Sequence, residues 1–318
     1  MFGVLSFCHL IIRNRGRMSG KFSAVITAVI VALLCGAAHA EGTHVLVIKS
    51  ADISPYAEAV EGFKKTCNCR VREVNLPEID SGGIREIVSE NRPGLILAVG
   101  VDALSHAVAV KGTPIVYSMV PNALLPEISG RNLSGVSMYI SPEKYINAIS
   151  ELFPLLRRVG VVFDPSWSGP FIRDAERAAH KKGIELVLKQ VGRPSEVISA
   201  LHGLKNSVNL LWMIPDPTVV NPETFKYMLD ISYQRHIPVF TFARKYVEIG
   251  AAAGLNSVPY DIGMEAGEIA AQFLTNGLPE TPIRAGAKNV SLLVNRRILK
   301  KIGIAIPEEV GGRTVNVE

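Results

Sequence analysis

From His44 onward, short runs that are apolar at nearly every position return at near-regular intervals, with longer amphipathic stretches between them. The runs of the first half are "HVLVIK" (44–49), "LILAVG" (95–100), "PIVYSM" (114–119) and "LSGVSM" (133–138). Their β-branched content and the Gly, Pro or Asn at most of their ends mark them as strands. A strand facing water on one side alternates polar and apolar residues, whereas continuous hydrophobicity implies burial on both faces. That is the signature of a parallel sheet covered by helices. The covering helices are expected at about 55–66, 83–91 and 102–110. In "PYAEAVEGFKK", Pro55 suits a first turn and Tyr56, Ala59, Val60 and Phe63 share a face.

The rhythm then restarts. "RVGVVF" (158–163), "IELVLKQV" (184–191), "VNLLWMI" (208–214) and "IPVFTF" (237–242) are strand-like, with helices expected at about 169–182, 195–204 and 222–235. Ser141 and Pro142 open a helix between the halves. The repeat is one of pattern and not of sequence. It argues for an α/β fold of two Rossmann-like lobes with parallel sheets, the rival being a single (β/α)8 barrel. The tail returns to both lobes. A helix spans much of 256–280, with Ile262, Ala266, Ile269, Ala270 and Phe273 on its apolar face and Glu265 and Glu268 toward water. One strand (290–295) and a short helix follow. The expected lobes are 44–138 plus about 256–288, and 139–255 plus about 289–318, joined by a hinge of several crossings over a cleft.

Residues 1–40 read as a leader. Arg13, Arg15, Arg17 and Lys21 are unopposed by any acid, an apolar run covers Phe22 to about Leu34, and Ala38-His39-Ala40 fits signal cleavage. Met18 offers an alternative start, and an uncleaved anchor is the other reading. The mature chain would begin at Glu41 and be exported to the periplasm. The leader carries most of the formal charge of +5; the remainder holds 30 basic against 29 acidic residues. No basic face is left for nucleic acid. Of four cysteines, cleavage would leave Cys67 and Cys69. An oxidising compartment permits a bridge between them, but the ring would be small, so two thiols at a helix–strand junction are expected.

The segments "GVVFDPSWSG", "LLWMIPDPTVVN", "NSVPYDIGMEAGEIAAQFLTNGLPE" and "VSLLVNRRILKKIGIAIPEEV" together resemble the ABC-transporter substrate-binding protein family, in its tryptophan- and tyrosine-binding group. "TPIVYSMVPNALLPEISGRNLSGVSM" is similar to that family's first-lobe stretch. The resemblance covers nearly all of the mature chain and lies in the ordered set, with no single diagnostic motif. It implies a type I periplasmic-binding-protein fold and delivery of a small solute to an ABC permease in the inner membrane. The chain departs from the family at Asn122-Ala123, where Asp-Pro is common. A neutral amide there can donate as well as accept.

In open parallel sheets ligands sit beyond the carboxyl ends of the strands. The polar residues at those ends are therefore the candidate contacts: Ser50, Asp52, Ser118, Asn122, Trp167, Ser168, Asp216 and Phe242. Trp167, placed after a turn, serves either to stack on a planar ligand or to cover the sheet end. Asp216, between Pro215 and Pro217, is either a rim acceptor or a turn cap. Tyr260 is assigned to packing at the hinge. No hydrolase, zinc-protease or phosphate-loop motif occurs, and the mature histidines are scattered. The expectation is a solute receptor without enzymatic activity, metal or cofactor, working as a monomer. Its solute would be small and organic, with amino acids, aromatic ones included, heading the candidates. A membrane-receptor sensor and a cleft hydrolase are the alternatives.

Overall fold

The computed structural model describes residues 44–78, 83–121, 132–311 and 314–317. Asn122 and Ala123, like the whole of the leader, lie outside the described residues.

The first half contains β1 (His44–Lys49), α1 (Ser54–Cys67), β2 (Arg70–Asn75), α2 (Gly83–Asn91), β3 (Leu95–Val99), α3 (Val101–Ala107), β4 (Ile115–Val120) and β5 (Leu133–Ser137). The second contains α4 (Pro142–Leu152), β6 (Arg158–Phe163), α5 (Pro165–Lys181), β7 (Glu185–Gln190), α6 (Pro194–Leu204) and β8 (Leu210–Trp212). It continues with α7 (Pro222–Arg235), β9 (Val239–Thr241), α8 (Arg244–Glu248) and β10 (Ala253–Ser257). The tail adds α9 (Pro259–Asn276), β11 (Arg284–Gly286), β12 (Val290–Val294), α10 (Arg296–Lys301), α11 (Glu308–Gly311) and β13 (Val315–Asn316).

These strands form two sheets and not a barrel. One has the order β11-β5-β4-β3-β1-β2, and the other β13-β12-β10-β9-β8-β6-β7. The first is parallel throughout. In the second only the β10–β12 pair is antiparallel. The five leading strands of each half therefore take the same spatial order, the later ones filling the far edge. All of β3 and all but the first residue of β1 are buried, as continuous hydrophobicity demands. Each sheet separates two apolar layers, with Val45 and Val47 on one face of β1 and Leu46 and Ile48 on the other. Burial of each such side chain contributes about 1.5–3 kcal/mol.

Several elements escape the apolar pattern. β2 carries Arg70, Arg72 and Glu73 because it is an edge strand with little to bury. Lys49 reaches Glu73 at 3.2 Å and Lys64 does so at 2.7 Å, tying α1 to that edge. The tail helix begins only at Pro259, after β10 has ended at Ser257. Its apolar face is buried as expected, but Glu265 is buried too, with 9% exposure, while Glu268 is exposed. Cys67 and Cys69 are joined in a disulfide, with Cα atoms 5.3 Å apart. The expectation of free thiols fails because Asn68 takes the left-handed conformation at the end of α1 and folds the two cysteines together.

Candidate functional site

The chain passes between the two sheets three times. It leaves β5 through 138–141 to enter α4, leaves β10 through Val258 to enter α9, and leaves β11 through 287–289 to enter β12. Every passage starts at the carboxyl end of a strand. The rims to which loops and helix starts bring polar groups are therefore the ends that the crossings tether together.

On the first sheet, Ser50 follows β1. Its Oγ accepts a bond from the Ala103 amide at 2.9 Å, and its own amide donates to the Val99 carbonyl at 2.9 Å. Gly100 stands between β3 and α3 with φ +92, and a Cβ there would lie 2.6 Å from both the Ser50 and the Tyr56 hydroxyl oxygens. Only glycine lets these two hydroxyls close over the start of α3. Burial pushes the Tyr56 phenol above its usual range, and nearby Asp102 adds to the effect, so the hydroxyl stays neutral. Ser118 is buried on β4, and among the described residues its Oγ has no hydrogen-bond partner. The next residue, Met119, is held at φ 56, where the pairing with β5 slips. A bulky side chain in that conformation is costly and marks a rim under constraint. Asp52 is exposed and lies 3.7 Å from Lys49.

On the second sheet the rim is organised around buried carboxylates. Asp216 is fully buried. Its Oδ2 accepts from the Asp164 amide at 2.8 Å and from the Ser168 hydroxyl at 2.7 Å. Its Oδ1 accepts from the amides of Thr218 at 2.9 Å and Val219 at 3.3 Å. Asp164 caps α5, accepting from the Ser166 amide at 2.9 Å and from the Thr218 hydroxyl at 2.8 Å. The Thr218 hydroxyl, with the Ser166 amide second, holds the Asp164 carboxyl below the usual carboxylate range. Ser168 and Asp216 thus meet each other, both nearly or wholly out of solvent.

Trp167 lies inside this frame. It is in the first turn of α5, not after a turn outside the helix: Pro165 starts the helix four residues earlier than periodicity suggested, because Asp164 supplies the cap. The indole is 44% exposed while Ser168 beside it is 6% exposed. One turn further on, Phe171 packs 5.7 Å from the buried Trp212 and 6.0 Å from Tyr145, fixing the helix to the sheet. Phe242, half-buried, packs at 5.3 Å on Tyr246 of α8. Tyr260 is 38% exposed, with its carbonyl against Gly62 of α1.

Among the described residues no hydrogen bond or ring contact joins the first-sheet set to the second-sheet set. Tyr56, Met119 and Thr218 went unread as rim residues. Only the short "PDPT" capping pattern carried a local signal for Thr218. A surface hollow of about 450 Å³ lined by Arg85, Val88, Ser89, Ala109, Val110 and Lys111 touches none of the rim residues. Among the described residues no group of three or more His, Cys, Asp or Glu is placed to hold a metal, and no helix is long and apolar enough to cross a membrane.

Residues 79–317 match the family model of ABC transporter substrate binding proteins. The chain belongs to that family. It is 24% identical over 255 residues to the tyrosine-binding protein of Clostridioides difficile (strain R20291), covering 76% of this chain and 73% of that one. Among solved structures, the ligand-free, open form of a Clostridium difficile substrate-binding protein with adhesive properties superposes with a TM-score of 0.70 at 21% identity, covering 87% of this chain and 99% of that one. A Streptococcus pneumonia ABC domain in complex with L-Trp gives 0.60 at 18% identity, over 87% and 100% of the two chains. Such likenesses establish the architecture: the two mostly parallel sheets form the type I periplasmic-binding-protein fold. The family binds substrates and does not transform them. Its members work with a small-molecule ligand and an ABC permease, typically outside the cytoplasm.

Proposed function

We propose that the protein is the extracytoplasmic solute-binding component of an ABC importer and that its solute is an aromatic amino acid or a close analogue. The observation that carries the reading is Trp167, a half-exposed indole at a strand-end rim, on a helix start whose flanking residues are fixed by a buried hydrogen-bond frame. An exposed aromatic ring normally costs solubility. One carried on a helix start that two buried carboxylates fix in place offers a flat apolar surface at a defined position on the rim. The tyrosine-binding relative and the L-Trp-bound neighbour are consistent with a planar guest.

In this reading residues 44–138 with about 256–288, and 139–255 with about 289–318, are lobes that close over the solute. The rims supply Ser50, Asp52, Ser118 and Asn122 from one side and Trp167 and Phe242 from the other. Ser168 and Asp216, expected as contacts, are buried and bonded to each other, and instead fix the helix start that carries Trp167. Closure shifts a population between two forms and needs no covalent step, metal or cofactor. Residues 1–40 act as a leader cleaved after Ala40, and the mature periplasmic protein works as a monomer.

The test is a thermal-shift screen of amino acids, short peptides, nucleobases and organic acids, followed by titration of each hit. An aromatic amino acid should raise Tm in a concentration-dependent way. Trp167→Ala should raise its Kd at least roughly tenfold, about 1.4 kcal/mol. Binding confined to non-planar solutes, or chemical turnover of the bound solute, would overturn the reading.

A further inference from the structure

The third passage between the sheets runs through Ala287 and Lys288, and all four backbone polar groups of this dipeptide are engaged. The Ala287 amide donates to the Tyr139 carbonyl, in the first passage, at 2.9 Å. The Ala287 and Lys288 carbonyls both accept from the Lys144 ammonium, at 2.9 and 2.6 Å. The Lys288 amide donates to Glu265 Oε1 at 3.2 Å. Lys144 stands on α4, which packs on the second sheet, and Glu265 stands on α9, which packs on the first. The same short segment is therefore gripped from both sides. Gly286 permits the approach, since a Cβ there would lie 2.7 Å from the Tyr139 carbonyl oxygen.

Glu265 is an unexpected member of this set. The sequence places it toward water, yet it is buried, and among the described residues its Oε2 has no hydrogen bond and lies 3.8 Å from the Lys288 ammonium. Desolvation raises its pKa; the Lys288 amide and ammonium oppose the rise, while Glu268 and Asp261 add to it. A carboxylate is costly at such a site unless it serves a donor that would otherwise be unpaired, and that donor is the Lys288 amide.

We propose that Lys144 and Glu265 pin Ala287–Lys288, and with it the Tyr139 carbonyl of the first passage, as a rigid pivot about which the lobes turn. A strap whose backbone groups faced water would let the lobes wander, and a solute would have to suppress that wandering on binding. A pinned strap removes part of that cost in advance. The two residues thus tune solute affinity without touching the solute. The consequence for affinity rests on the closing-lobe reading above, but the pin itself can be measured in the ligand-free protein.

In the wild-type protein without solute, hydrogen exchange should find the Ala287 and Lys288 amides protected by roughly a hundredfold or more over an open peptide. Spin labels at Glu90→Cys and Glu176→Cys, both exposed and one on each lobe, should give a narrow distance distribution. Lys144→Met and Glu265→Ala should each broaden it and raise the Kd of a solute found in the screen about three- to tenfold. Glu265→Gln, which keeps the acceptor, should restore wild-type width. The two losses should be non-additive, because both act on one dipeptide.

Freely exchanging amides, or unchanged widths in both folded variants, would overturn the pin; exchange in the wild-type chain decides even where a variant fails to fold. A narrow wild-type distribution that no solute shifts would instead count against closure, leaving the pin intact.

Discussion

Asp216 accepts four hydrogen bonds on its two oxygens, from Asp164, Ser168, Thr218 and Val219. Removing the carboxylate strands buried donors on two separate loops, and each unmet donor costs about 1–3 kcal/mol. Asp216→Ala should therefore destabilise the fold by about 3 kcal/mol or more in urea titration. It should also leave Trp167 more accessible to acrylamide quenching, while buried Trp212 gives a constant background.

Asp164 adds a pH term. Its folded-state pKa lies below the ordinary carboxylate value, chiefly through the Thr218 hydroxyl. The stability it contributes is therefore complete above the unfolded value of about 4 and is lost as pH falls through the lower folded value. Thr218→Val should show its full stability deficit at neutral pH and a shrinking one below about pH 4, measured by urea titration across that range. At this scale position at a strand end drew attention to Asp216 and Ser168, but as solute contacts, whereas both are buried and bonded to each other. Their pairing with each other, and that of Asp216 with the Asp164 amide, was not legible, because those bonds join residues 48 and 52 apart in the chain.

Among the elements, the pairing of α1 with α9 shows how close packing and helix propensity oppose each other. A Cβ at Gly263 would lie 1.9 Å from the Ala59 carbonyl oxygen, and one at Gly62 1.9 Å from the Tyr260 carbonyl oxygen. Thr66 reaches across to the Met264 carbonyl at 2.7 Å. Propensity alone would favour alanine over glycine in a helix by about 1 kcal/mol. The backbone cannot give by an ångström without separating the helices, so overpacking wins. Gly263→Ala should destabilise by about 2 kcal/mol or more, read as a lowered urea midpoint. The long helices and the apolar strands were readable from periodicity. The start of α5, the edge strand β2 and the small strands β11 and β13 were not, because caps and edge pairing carry little hydrophobic signal.

For the whole molecule, the two sheets repeat one strand order, and the three passages all leave from carboxyl ends. On the proposed closing-lobe reading, the two halves turn about the edge that tethers them. Small-angle scattering with a saturating solute should show a smaller radius of gyration than the ligand-free protein, and Trp167→Ala should need a higher solute concentration for the same change. A radius that ignores every stabilising solute would argue against closure.

Much of the architecture was carried by the chain itself. Continuous apolar runs require two-sided burial, and two-sided burial with intervening amphipathic helices leaves few folds other than a doubly covered parallel sheet. The repetition of that pattern specified two such sheets, and the polar residues at strand ends located the rims. What only the tertiary structure decided was the partner of each polar group. Glu265 became buried because the third passage brought an amide to it, Cys67 met Cys69 because Asn68 turned left-handed, and Asp216 turned inward because four donors converged on it. Hydrophobic burial is a property of each segment and survives in the linear pattern. Hydrogen bonds between distant loops depend on which segments become neighbours, which no single stretch encodes.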